Sequence, residues 1–281
     1  MAPNKVYCAV ILLFFFCGVA SVSNRNQKAE LVVNASGGRQ IPETFFGIFF
    51  EEINHAGAGG LWAELVSNRG FEAVRQNKSL NIHPWSLIGD ESSIIVSTDR
   101  SSCFKRNKIA LRMEVLCDGD TCPVGGVGVY NPGFWGMDIK QGKIYKIVFY
   151  LRSLTSVNIS VSLTSSDGLR TLAITNLIAS ARDVSNWTKM ETLLEAEETN
   201  PNARLQLKTS KKGVMWIDQV SAIPLDTHKV ITKEIKQQSS LKFQNDLYEM
   251  IANIKPRFLR FPGIYRFIGV DALCASEVVS C

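Results

Sequence analysis

Between residues 85 and 225 the chain alternates apolar and polar positions in short runs. Ile109, Leu111, Met113 and Val115 are interleaved with Lys108, Arg112 and Glu114. Tyr145, Ile147, Phe149 and Leu151 share one face. Val157, Ile159, Val161 and Leu163 oppose Asn158, Ser160, Ser162 and Thr164. Leu205 with Leu207, and Val214 with Trp216, continue the series. A period of two sends successive side chains to opposite faces, so each run predicts a strand with one buried side. Several such runs with turn residues between them predict an antiparallel β-sandwich, and ~140 residues suffice for its own core.

On either side of this block the pattern differs. Phe45-Phe46-Gly47-Ile48-Phe49-Phe50-Glu51-Glu52-Ile53 is an apolar, aromatic run of strand length. It fits a strand buried on both faces, as in parallel sheets. The Gly-rich loop of residues 55–60 follows. Leu61 with Leu65 and Trp62 with Val66 then sit at i,i+4 and predict a short helix ended by Asn68-Arg69-Gly70. Phe243, Leu247, Met250, Ile251 and Ile254 predict an amphipathic helix that Lys255-Pro256 ends. Arg257-Phe258-Leu259-Arg260-Phe261 reads as a strand stopped by Pro262-Gly263. Near the start, Leu31-Val32-Val33 is a short candidate strand. The predicted fold is therefore α/β plus all-β, a sandwich inserted between two α/β pieces.

Composition narrows the classes. Of 281 residues, 46% are hydrophobic and 20% charged, which excludes a disordered chain, a collagen and a multi-span membrane protein. A net charge of +5 without a dense Lys/Arg run gives no support for nucleic acid. The loop at residues 55–60 lacks the Lys-Ser/Thr of a phosphate loop. His55, His83 and His228 are scattered and no metal spacing exists, so neither metal nor other cofactor is expected. Each His reads as structural or exposed. Lys5 precedes an apolar run from Val6 to Val22, and small residues close it; residues 1–23 read as a secretory signal peptide. Export to the extracellular matrix or cell wall is expected, with no stable membrane anchor after cleavage. Acceptor sequons at Asn34, Asn77, Asn158 and Asn186 fit that route. After removal of Cys8 and Cys17, Cys103, Cys117, Cys122, Cys274 and Cys281 remain. Cys117 and Cys122 could close a small loop, with Cys103 the alternative partner of either.

Two stretches carry a family resemblance. Gly47-Ile48-Phe49-Phe50-Glu51-Glu52-Ile53-Asn54-His55-Ala56-Gly57, continued by Gly60-Leu61-Trp62-Ala63-Glu64-Leu65-Val66-Ser67-Asn68-Arg69-Gly70-Phe71-Glu72, resembles the start of plant α-L-arabinofuranosidases of glycoside hydrolase family 51. Lys255-Pro256-Arg257-Phe258-Leu259-Arg260-Phe261-Pro262-Gly263 is similar to the second strand of the same barrel. The inserted sandwich, with residues 125–136, resembles the family's carbohydrate-binding-module-like domain, a galactose-binding-like jelly roll. The resemblance implies a secreted, retaining glycosidase on a (β/α)₈ TIM barrel that removes terminal α-L-arabinofuranosyl groups from cell-wall polysaccharides. It implies that Glu51 holds the sugar's hydroxyls and that Arg260 is an active-site arginine, both at barrel-strand ends. Retaining hydrolysis needs two carboxyl groups about 5 Å apart. Neighbours on a strand point to opposite sides, so Glu51 and Glu52 are not that pair.

The resulting organisation is a signal peptide (1–23), a first barrel segment (24–84), the inserted sandwich (85–225), a second barrel segment (226–263) and a divergent tail (264–281). Ile264 stands where the family has another Gly, and residues 230–242 replace a short aromatic and Gly-containing connection. The family's acid/base and nucleophile carboxylates have no counterpart in this sequence, so no catalytic residue is assigned and the chain is expected to be inactive by itself. Two strands do not close a barrel, and their apolar faces are expected to stay exposed. A carbohydrate-binding protein that works through its sandwich is the alternative. Its candidate stacking residues are Trp135, Phe134 and Trp85, with Tyr130 assigned to the core.

Overall fold

The computed structural model describes residues 29–73, 82–230 and 241–260. The expected signal peptide, Asn77, Cys274, Cys281, residues 231–240 and the tail from 264 lie outside the described residues. Contacts divide the chain into two units, Met1–Pro42 and Glu43–Cys281. In the first, Leu31, Val32 and Val33 are exposed and form no strand. Asn34 makes a local turn, accepting from the N–H and hydroxyl of Ser36.

The second unit is built mainly of strands. In chain order these are β1 (Ile48–Phe49), β2 (Ser86–Ile88), β3 (Ile94–Asp99), β4 (Ala110–Val115), β5 (Val127–Asn131), β6 (Met137–Ile139), β7 (Ile144–Ser153) and β8 (Val157–Ser165). Then come β9 (Thr171–Ala179), β10 (Thr188–Glu195), β11 (Asn200–Thr209), β12 (Gly213–Pro224), β13 (His228–Val230), β14 (Leu241–Phe243), helix α1 (Asn245–Ile254) and β15 (Leu259–Arg260). Among the described residues, two antiparallel sheets dominate. One has the order β10-β7-β12-β4-β3; the other has β2-β5-β11-β8-β9, with β6 also paired to β11. The inward residues of both sheets form one core. Leu111, Met113, Ile147, Phe149 and Ile217 of the first meet Val129, Val161, Leu163, Leu205 and Leu207 of the second. The two faces thus bury each other's apolar side chains, the arrangement that stabilises a sandwich.

Several predicted elements fold differently. The expected strand over residues 45–53 shrinks to β1, preceded by a 3₁₀ turn at Glu43–Phe45. Phe45, Phe46, Phe49 and Ile53 are exposed because, among the described residues, only β15 pairs with β1 and no layer covers either face. Residues 61–66 are irregular rather than helical, with Trp62 in an isolated bridge to Phe243. The N–H of Ala63 donates to Lys242 O and that of Leu65 to Ala222 O, so pairing with distant backbone replaces the helical i→i−4 pattern. Val66 and Phe71 enter the sandwich core together with Ile82. In β12 the buried face carries Met215 and Ile217, whereas Val214 and Trp216 are only partly buried on the other side. Phe243 belongs to β14, and α1 starts at Asn245 and buries none of its residues. Lys255, left-handed at φ 51°, closes the helix through its N–H to Ala252 O. Of the strand expected over residues 257–261, Leu259 and Arg260 form β15, Arg257 and Phe258 do not, and Phe261 lies outside the described residues.

Candidate functional site

β1 and β15 run parallel, with Ile48 opposite Leu259 and Phe49 opposite Arg260. The N–H of Phe50 donates to Arg260 O at 3.1 Å. Parallel strands end on the same side, so the backbones of Glu51 and Arg260 leave the pair together. Glu51 is half-buried and Arg260 exposed. The Arg260 guanidinium lies 6.0 Å from the centre of the Phe49 ring.

The loop that follows β1 is held in an unusual shape. Asn54 and His55 both adopt positive φ, 52° and 61°. Consecutive non-glycine residues in that region are uncommon and persist only where surrounding contacts over-determine them. One such contact is Glu52, whose carboxylate accepts the Gly57 N–H at 2.7 Å. A Cβ at Gly57 would stand 2.2 Å from that carboxylate oxygen. Gly59, at φ +88°, faces the Phe134 ring, which a Cβ would meet at 2.5 Å. The sandwich loop carrying Phe134 and Trp135 therefore rests against the loop that leaves β1. His55 lies 5.0 Å from the Phe134 ring and 5.3 Å from the Trp135 ring. Trp135 stays 66% exposed, so part of its ring surface is open to a ligand.

The structure brings Phe134 and Trp135 beside this loop but excludes Trp85. That side chain is 3% exposed, sits 5.2 Å from Phe71, and donates its indole N–H to Asn68 O. It is a core residue with its polar atom satisfied and has no face for a sugar. Tyr130, assigned to the core from sequence, is instead on the outer face of its sheet. The Arg204 guanidinium lies 4.0 Å above its ring. The misassignment comes from phase: Val127, Val129 and Asn131 point inward, which sends Tyr130 outward.

Sequence reasoning missed three groups. His55, read as a scattered histidine, forms an aromatic cluster with two residues almost eighty positions away. Glu64, 1% exposed, accepts from Val66 N, Ser221 Oγ and Ala222 N, and Arg69 stands 3.8 Å from it. Asn131, fully buried, accepts from Ser67 and Gly133 N–H and donates to Ser67 O. Glu64 and Asn131 pin residues 64–67 to the sandwich; a polar residue inside an apolar run was the available signal. Cys117 and Cys122 form a disulfide with Cα atoms 5.0 Å apart, and Cys103 is not part of it. Asn34, Asn158 and Asn186 are exposed. Among the described residues no group of three or more His, Cys, Asp or Glu converges as a metal site.

No protein-family profile matches the chain. Individual relatives do. Alpha-L-arabinofuranosidase 1 of Arabidopsis thaliana is 67% identical over 235 residues, 83% of this chain and 33% of that protein. Alpha-L-arabinofuranosidase 2 of the same plant is 59% identical over 265 residues, 91% of this chain and 38% of that protein. An arabinose-bound α-L-arabinofuranosidase of glycoside hydrolase family 51 superposes with a TM-score of 0.64 at 26% identity, covering 79% of this chain and 35% of that structure. The chain thus spans about a third of the length of the curated relatives it matches. Over the matched residues, the chain is similar to a part of plant α-L-arabinofuranosidases and of a solved α-L-arabinofuranosidase of glycoside hydrolase family 51.

Proposed function

We propose that this chain supplies the sugar-holding part of an α-L-arabinofuranosidase acting on terminal arabinofuranosyl groups of cell-wall polysaccharides. β1 and β15 are read as the first two strands of a (β/α)₈ barrel. The parallel pairing that sends Glu51 and Arg260 out at one end is the observation that carries this reading. Functional groups in such barrels gather at the C-terminal strand ends. Glu51 accepts hydroxyl hydrogens of the arabinofuranosyl group, and Arg260 donates to its oxygens. Trp135 and Phe134 offer ring surface to neighbouring sugars, whose apolar faces suit aromatic rings. Glu52 acts differently, its carboxylate holding the loop through Gly57. Retaining cleavage needs a further pair of carboxyl groups about 5 Å apart. We read the 281 residues as the part that binds the sugar, without assigning the cleaving carboxylates to them. Export through residues 1–23 belongs to the same reading.

Titration of the secreted chain with arabinose-decorated xylo-oligosaccharides tests it. Glu51→Ala and Arg260→Ala should each weaken binding by ~10-fold or more, about 1.4 kcal/mol, while Trp85→Phe leaves it unchanged. An aryl α-L-arabinofuranoside should not be turned over. Unaltered affinity in both variants, or turnover that Glu51→Ala abolishes, would contradict the proposal.

A further inference from the structure

β9 is the last strand of its sheet and is hydrogen-bonded to β8 on one side. Its outward side chains alternate as Ile174, Asn176 and Ile178, opposite Ser162, Ser160 and Asn158 of β8. Ile174 is 58% exposed and Ile178 76%. Edge strands with exposed apolar residues are a liability that folded proteins blunt with charge, bulges or a cover. Here the outward row carries no charge. A groove of about 550 Å³ runs beside it, lined by Asn158, Ile178, Ala179, Ser156, Ser180 and Lys211 among others. That volume is within the roughly 300–1,000 Å³ of small-molecule sites. A second groove of about 90 Å³ on the other side of Asn158 is lined by Ser160, Asn176 and Lys208.

Asn158 stands between the two grooves, exposed, and heads the acceptor sequence Asn158-Ile159-Ser160. Directly opposed cross-strand side chains have Cβ atoms about 4.5–5.5 Å apart. A group attached to Asn158 Nδ2 is therefore delivered onto Ile178. The other described acceptors differ. Asn34 engages its side chain in a turn with Ser36, and Asn186 lies outside the strands, in the connection before β10.

We infer that Asn158 carries an N-linked oligosaccharide that lies over Ile178 and covers the exposed outer face of this edge strand. In the transfer, Nδ2 attacks C1 of an oligosaccharide held on a polyprenyl pyrophosphate. The N–C1 bond forms, the C1–O bond breaks, the polyprenyl pyrophosphate leaves, and the Nδ2 proton passes to a base of the transferase. The first sugar then sets its C–H face on Ile178 and its hydroxyls toward Ser156, Ser180 and the Lys211 ammonium. The inference rests on the proposed passage of the chain through the secretory route, and on nothing about polysaccharide binding.

The test uses the chain secreted from a eukaryotic host under that host's own export signal, so a failure of residues 1–23 is seen separately. Mass spectrometry reads occupancy at Asn158 in wild type, Asn158→Gln, Ser160→Ala and Ser160→Thr. Hydroxyl-radical oxidation reads the accessibility of Ile174 and Ile178, with exposed Ile95 on the other sheet as internal control. Wild type and Ser160→Thr should be occupied. Asn158→Gln, Ser160→Ala and enzymatically deglycosylated wild type should each show several-fold more oxidation at Ile178, with Ile95 unchanged. Deglycosylation of folded protein keeps the comparison valid should a variant misfold. An unoccupied Asn158, or occupancy with no change at Ile178 on glycan removal, would overturn the inference.

Discussion

Asp218 lies within β12, fully buried, beside the register shift that separates it from Ser221. Its carboxylate accepts from the Ser102 hydroxyl and from the Gln219 N–H. Burial pushes its pKa up to about 7; those two hydrogen bonds oppose the rise, nearby Glu72 adds to it and Arg69 counters it. The folded value lies above the ordinary 3.8, so the folded protein holds a proton that the unfolded chain has already lost. This contribution is complete below pH 3.8 and disappears as the pH rises to about 7. Asp218→Asn should remove that slope, gaining on the order of a few kcal/mol relative to wild type at pH 8. Urea unfolding between pH 4 and 8 measures it; parallel curves for the two proteins would refute it. Trp85 supplies a second prediction at this scale. Trp85→Ala should cost about 3–5 kcal/mol of stability, as for other buried aromatics. Loss of sugar binding without loss of stability would reverse its assignment.

At the scale of elements, the alternation over β4, β7, β8 and β11 was legible because one face of each strand carries apolar side chains into the core and the other carries mainly polar ones, even where, as at Ser162, Thr164 and Gln206, these are buried. Leu111 and Met113, or Tyr145 and Phe149, declare a period of two without help from tertiary contacts. Residues 61–66 could not be read this way. Their apolar i,i+4 pairs satisfy a helical template, yet the backbone is taken by Ala222 and Lys242, and Glu64 is buried by Ser221, Ala222 and Arg69. A long-range partner overrides local periodicity there, and no window of sequence contains it. Removing the carboxylate by Glu64→Ala leaves Arg69 and two backbone donors without their partner. It should cost about 3–5 kcal/mol, the range for breaking a buried pair, whereas Glu64→Gln, which keeps an acceptor, should cost less. Thermal melts of the two variants decide it, and equal melting temperatures would argue against the role. The disulfide between Cys117 and Cys122 closes a six-residue loop. Reduction should therefore cost about 2 kcal/mol on the loop-entropy scale, a small effect visible in denaturant midpoints with and without reductant.

For the molecule as a whole, the sandwich and the β1–β15 pair differ in how their apolar surface is treated. The sandwich buries its inward residues almost completely. By contrast Phe45, Phe46, Phe49, Ile53, Met250, Ile254 and Phe258 remain exposed. The paired strands were legible from the aromatic run of residues 45–53 and the strand before Pro262. Their shortness was not, because strand length depends on neighbours that sequence alone does not place. The site followed the same division. Glu51 and Arg260 came from motif resemblance, and the parallel register brings their backbones to one end. His55 joined only through loop geometry.

The most direct test of the sugar-holding role places these residues in a complete catalytic setting. Residues 24–263 would replace the corresponding part of Arabidopsis thaliana alpha-L-arabinofuranosidase 1, and hydrolysis of an aryl α-L-arabinofuranoside would be followed. The chimera should turn over substrate, and Glu51→Ala and Arg260→Ala should each lower kcat/KM by ~100-fold or more, about 2.7 kcal/mol, while Trp85→Phe leaves it within a few-fold. A folded chimera whose kcat/KM is unchanged by Glu51→Ala and Arg260→Ala would contradict that role.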